Sequence, residues 1–87
     1  MISRTRPSFW RAYAALDPRV KQQAREAYKL FAQSPEHPSL RFKKLQGYAN
    51  VWSVGINEQF RAVGEREGDT IEWAWIGSHN EFDSKFG

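Results

Sequence analysis

Five side chains of the 87-residue sequence have the chemistry to act on a phosphodiester. Arg41, Lys43, Lys44 and Arg61 lie on or beside segments that read as β-strands, and His79 follows the last of these segments. A flat antiparallel sheet carrying cations at fixed spacing attracts phosphate oxygens and sets their position. Tyr48 and Phe82 add aromatic surfaces on which unpaired bases stack. Other chemistries fit poorly. Two lone histidines, with no acidic pair at helical spacing, make a poor metal site, and no metal or other cofactor is expected. There is no Gly-rich phosphate loop and no Ser-His-Asp arrangement.

Each of these residues also has a plainer reading. Arg61 is a possible cross-strand partner of Glu72 or Glu65, and His79 a possible cap of the final turn. Lys43 and Lys44 also suit an exposed strand, where lysine discourages sheet-to-sheet association. His37, between Pro35 and Pro38, reads as exposed and idle.

The elements that must position these groups follow from spacing. Phe9, Tyr13 and Leu16 recur at helical intervals after Pro7, which suits a first helical turn, so a helix is expected over 7–15. Asp17-Pro18 supplies an N-cap and an N1 proline for a second helix. That helix carries an apolar stripe of Val20, Ala24, Ala27, Tyr28 and Phe31 and ends near Gln33, before Pro35 and Pro38. Residues 34–39 read as a linker. Strands are then expected over Leu40–Leu45, Val51–Ile56, Phe60–Val63 and Ile71–Ile76.

In the first of these strands Leu40 and Phe42, joined by Lys44 if the alternation continues that far, face one way and Arg41, Lys43 and Leu45 the other, with a bulge or strand end expected at Lys44-Leu45. Trp52, Val54 and Ile56 face the core, leaving Ser53 and Gly55 outward. Turns fall at Gly47–Asn50, at Asn57–Gln59, and at Glu65–Asp69, where Gly64 and Gly68 supply freedom for positive φ. Ile71–Ile76 is apolar on both sides and reads as central. Ile2–Arg4 fits either a short edge strand or a loose terminus, and a short helical or irregular tail follows Gly77. The class is α+β: two N-terminal helices on one face of a four-stranded, mainly antiparallel sheet, with the cations on the other face.

Composition agrees with one domain over residues 1–87. Cysteine is absent, which excludes disulfides and thiolate sites, so stability must come from packing. Four Trp, six Phe and three Tyr supply large apolar surfaces. No apolar run reaches the roughly 20 residues of a membrane span, and no signal-like segment opens the chain, so a cytoplasmic protein without membrane contact is expected. Charge is uneven. Residues 1–47 hold ten Lys/Arg against three acids, whereas 48–87 hold three against seven. The basic half suits an anionic partner.

Leu40-Arg-Phe-Lys-Lys-Leu-Gln-Gly, Val51-Trp-Ser-Val with Ile56-Asn57, Phe60-Arg61-Ala62, and Trp75-Ile-Gly-Ser-His-Asn-Glu-Phe-Asp83 together resemble the RelE/ParE superfamily of toxins from type II toxin–antitoxin systems, in its RelE-like branch. The resemblance covers nearly the whole chain. It implies a microbial-RNase-like fold, a cognate antitoxin as partner, and metal-independent cleavage of mRNA on the ribosome. In that reaction the ribose 2′-OH attacks the adjacent phosphate, leaving a 2′,3′-cyclic phosphate and a 5′-OH. By position in the family pattern, Lys43 and Lys44 orient RNA or act as base, and Arg61 clamps phosphate. His79 serves as acid or charge stabiliser, a role open to imidazole at neutral pH. Arg41, Tyr48 and Phe82 contact RNA, although Phe82 replaces a common Tyr and cannot share a proton.

Gly55 departs from the pattern. It stands where relatives usually carry an Arg aimed at the scissile phosphate, so an attenuated or inactive ribonuclease is expected. The alternative implied by the same resemblance is a ParE-like inhibitor of DNA gyrase without enzymatic activity.

Overall fold

The computed structural model of the protein describes residues 1–86. Chain order is β1 (Ile2–Thr5), α1 (Pro7–Ala14), α2 (Pro18–Gln33), a 3-10 turn (Pro38–Leu40), β2 (Lys43–Lys44), β3 (Val51–Gly55), β4 (Phe60–Glu67), β5 (Thr70–Ser78) and α3 (His79–Phe86). The α+β class holds, but the sheet has five strands in the order β1-β5-β4-β3-β2. Ile2–Thr5 is the added strand. It runs parallel to β5 with Ile2 opposite Thr70, while the other neighbours are antiparallel.

Both helices start where their prolines direct. Asp17 Oδ1 accepts the Val20 N–H at 3.0 Å, satisfying one of the orphan donors of the first turn of α2. Val20, Ala24 and Phe31 are buried along its stripe, but Tyr28 lies half exposed on the rim of a groove between α1, α2 and the sheet. The helix-facing core joins Ala24, Phe31, Leu40, Val54, Ala62, Ile71, Trp73 and Ile76. Phe31 sits edge-on to both Trp73 and Phe42, and burying such a side chain stabilises by about 1.5–3 kcal/mol.

The expected strand at Leu40–Leu45 shrinks to Lys43–Lys44. Pro38 opens a 3-10 turn, and Arg41 leaves it in the left-handed region at φ 48°, so regular pairing begins only at Lys43. His37 is not idle: its Nδ1 accepts the Ser39 N–H at 3.2 Å and caps that turn. Gly64 lies within β4 rather than in a turn, which forms instead around Gly68 at φ 60°.

The outer face of the sheet is not bare. Register slips between Val63 and Gly64, leaving Ala74 as an extra residue on β5. This bulge reverses the alternation: Ile71 and Trp73 face the helices, but Trp75 joins the opposite side. Ser8 Oγ donates to the freed Ala74 carbonyl at 2.7 Å, fastening α1 to the bulge. On the outer face Leu45, Val63 and Phe82 form a second small core with Val51, Trp75 and Phe86. The tail expected after Gly77 is therefore a third helix, α3, lying on the face expected to carry only cations.

Candidate phosphate-binding site

Residues directly opposite in a sheet share a face. One outer row runs Lys43, Ser53, Val63, Trp75, and the next runs Gly55, Arg61, Gly77. Lys44 falls in the row Trp52, Gly64, Trp73 on the helix side, so the structure separates it from Lys43 and Arg61. Ser53 points outward as expected yet is only 1% exposed. The Lys43 and Arg61 alpha carbons are two strands and two residues apart, roughly 12 Å at ordinary sheet spacings. Both side chains are long enough to close on one ligand from that separation.

Arg61 is flanked in register by glycine on both sides, so no neighbouring Cβ crowds it. The glycines have packing reasons of their own. A Cβ on Gly77 would overlap the Trp75 indole, and one on Gly55 would lie 3.3 Å from the Leu40 carbonyl oxygen. The Arg61 guanidinium sits 5.2 Å from the centroid of the Phe82 ring. The His79 imidazole is stacked on the same ring at 6.2 Å with planes 17° apart. One buried phenyl group thus holds two of the candidate groups. Phe82 is only 8% exposed, so it is a support and not a surface on which a base can stack, contrary to expectation. Tyr48 does remain exposed, edge-on to Phe86 at 6.3 Å.

Glu65 and Glu72 do not pair with Arg61. They face each other in register, and Arg6 bridges them, with Nη2 3.1 Å from Glu65 and Nε bonded to Glu72. Hydrogen bonds from Arg6 to Glu65 and then to Glu72 reinforce the charged guanidinium and push its pKa up. Among the described residues no carboxylate lies within 4.0 Å of Arg61 or Lys43. One end of the outer face is therefore acidic, its two carboxylates sharing Arg6, and at the other Arg61 and Lys43 are unpaired among the described residues.

Two features escaped sequence reasoning. Ser78-His-Asn-Glu81 is a capping box: Ser78 Oγ accepts the Glu81 N–H at 3.2 Å, and Glu81 Oε1 accepts the Ser78 N–H at 3.0 Å. Accepting the Ser78 backbone N–H, and then its hydroxyl, holds the Glu81 carboxyl below its ordinary range. The S-x-x-E spacing could have revealed it. The other is Asp83, one turn after His79, whose Oδ2 lies 3.4 Å from His79 Nε2. The cap comes from Ser78 and Glu81, so the His79 ring takes no part in it and pairs with Asp83 instead. Arg41 stands apart from this cluster, on a groove between α2 and the 3-10 turn.

A five-stranded sheet with a helical pair on one face and a short third helix on the other is a frame shared with known proteins. The chain belongs to the ParE-like toxin domain family, whose model matches residues 18–84. No curated protein matches it by sequence. Its structure is similar to the RelB–RelE antitoxin–toxin complex from Methanococcus jannaschii (TM-score 0.77, 16% identity, covering 97% of this chain and 99% of that one). It is also similar to the YoeB/ParE toxin from Agrobacterium tumefaciens (0.70, 21%, 91% and 99%). A third likeness is to YafQ from E. coli strain BL21(DE3) (0.74, 11%, 98% and 97%). At these identities the likeness is one of fold.

Proposed function

We propose that this protein is the toxin of a type II toxin–antitoxin pair that cleaves mRNA on the ribosome without a metal, and does so weakly. The observation that carries the reading is Arg61: a guanidinium on the outer face with no carboxylate partner among the described residues, backed by Phe82 and with His79 on the same ring. Arg61 binds the phosphate and stabilises charge as the 2′ oxygen bonds to phosphorus. The P–O5′ bond breaks, His79 gives a proton to the departing 5′ oxygen, and the proton of the 2′-OH passes to a base. Lys43, on the same face, positions the strand or serves as that base. Asp83 orients the His79 ring. Lys44, on the helix side, is left out of this set. Tyr48 offers an exposed surface to a neighbouring base.

Gly55 supplies no cation. Losing one charge aimed at a transition state costs about 10²–10³ in rate, hence the weak activity. The nearby Leu40 carbonyl means that Gly55→Arg must displace the 3-10 turn by a few tenths of an ångström. A cognate antitoxin is the protein partner, as RelB is for RelE in the Methanococcus jannaschii complex and DinJ for YafQ in the E. coli toxin–antitoxin complex.

Toeprinting of translating ribosomes with the purified chain tests this: new stops within the reading frame support it. The second reading, a gyrase inhibitor, is favoured by the ParE-like description of the matching family. Stabilised gyrase–DNA breaks without ribosomal stops would replace the first reading with the second.

A further inference from the structure

The helix side of the sheet holds a groove of ≈ 480 Å³ between α1 and α2, within the size range of small-ligand sites. Its origin is local. α2 lines it with Ala24 and Ala27, whose methyl groups leave the gap to Phe9 and Tyr13 of α1 unfilled. The floor belongs to the helix-facing core: β1, β5, β4 and β3 contribute Thr5, Trp73 with Ile76, Ala62 and Val54 in turn. Four neighbouring strands span three spacings, about 14 Å, roughly the extended length of a twelve-carbon chain. Trp10 and Tyr28, 52% and 51% exposed, carry the apolar surface out to the rim. Contiguous apolar surface open to water marks a binding groove.

The charge of the lining has one sign: two arginines and no carboxylate. Arg25 Nη1 donates to Tyr13 Oη at 2.8 Å, joining the two helical walls. Lys21 Nζ lies 5.6 Å from the centroid of the same Tyr13 ring. Among the described residues no carboxylate lies within 4.0 Å of Arg25 or Lys21. The Tyr13 hydroxyl accepts from Arg25 and keeps its own proton to donate. A long apolar slot with cations and a hydroxyl donor at its edge complements a molecule with an apolar tail and an anionic head.

We infer that this groove binds a medium-chain alkyl carboxylate as a free monomer. The tail lies along the core residues, and the carboxylate accepts charge-assisted hydrogen bonds from Arg25 and a bond from the Tyr13 hydroxyl. Lys21 adds attraction. Because the groove lies across the sheet from Arg61, its binding is measured without reference to the ribonuclease reading.

The test is an amide-resolved NMR titration of the whole chain with laurate below its micelle-forming concentration, beside decanoate and dodecyltrimethylammonium. Laurate is expected to shift the amides of Tyr13, Ala24, Arg25 and Ala27 saturably. Decanoate should bind about tenfold more weakly, the cost of two unburied methylenes. The cation with the laurate-length tail should also bind at least about tenfold more weakly, and Arg25→Gln should cost laurate about tenfold. Ala27→Leu should fill the slot and abolish binding; if that variant does not fold, Arg25→Gln, at an exposed position, decides. Equal binding of the two head groups, no dependence on chain length, or laurate affinity unchanged in Arg25→Gln would each overturn the inference. Three other outcomes would overturn it by giving the groove a different occupant. Shifts of these amides with an acidic amphipathic peptide but not with laurate would assign it to a protein partner. Shifts with chain concentration alone would assign it to a second copy, and shifts with phosphatidylglycerol vesicles alone to a membrane surface.

Discussion

The Arg61 guanidinium stacks on Phe82 and meets no carboxylate among the described residues, so its removal should separate chemistry from folding. Arg61→Ala is expected to lower ribosomal cleavage by about 10²–10³. Losing the stacking contact costs only about 0.5–1 kcal/mol, read as a fall in thermal midpoint of a few degrees. A comparable loss of activity with a collapsed midpoint would make Arg61 structural. The glycines make a second residue-scale prediction. A Cβ at Gly64 would lie 2.8 Å from the Glu72 carbonyl oxygen and 3.0 Å from the Trp73 ring, neither of which yields easily. Gly64→Ala should cost about 1–3 kcal/mol in urea unfolding. Gly55→Ala, 3.3 Å from one carbonyl, should cost less. Gly55→Arg should then raise toxicity in a bacterial host if the 3-10 turn gives way. Unchanged harmlessness, with the fold intact, would remove the missing cation as the cause of weak activity.

Among the elements, α3 is the one that assembles the site, because His79 and Phe82 both ride on it. Its N-terminus depends on Glu81, whose folded pKa lies below the unfolded value. The cap therefore contributes stability above the ordinary carboxylate range near ~4.3, and loses it as pH falls through the lower folded value. Acidification should open α3 before the sheet: hydrogen exchange over 79–86 should accelerate first, and Glu81→Gln should show little of this pH response. Uniform exchange across sheet and helix would contradict a locally capped α3. Much of this scale was legible in the sequence. Asp17-Pro18, the Phe9/Tyr13/Leu16 spacing and the Asn57 turn each act through neighbours a few residues away, and periodicity reads such local forces directly. The bulge at Ala74 was not legible. It depends on Gly64 pairing with Trp73 and on Ser8 bonding the Ala74 carbonyl from across the fold, and it moves Trp75 to the outer face. Lys44 was legible in part: the Leu40/Phe42 alternation, carried on, puts it on the helix side, and pairing with Trp52 sets it there.

At the scale of the molecule, the uneven charge of the sequence resolves into an outer face with an acidic end whose two carboxylates share Arg6 and a cationic end unpaired among the described residues. The family pattern pointed to Arg61 and His79, but neither composition nor motif indicated that one buried ring would hold both. Electrostatic attachment to RNA implies a salt dependence: affinity for ribosomes or single-stranded RNA should fall linearly on logarithmic axes, with a slope of about −0.7 per phosphate neutralised. Binding indifferent to salt would count against a phosphate-reading face.

The most direct measurement is toeprinting of a translating ribosome with the wild-type chain beside Arg61→Ala and His79→Ala. Weak stops within the reading frame, ending in 2′,3′-cyclic phosphate and lost in both variants, are the predicted result. Stops of equal strength in all three proteins would contradict the assignment of the reaction to the pair of side chains on Phe82.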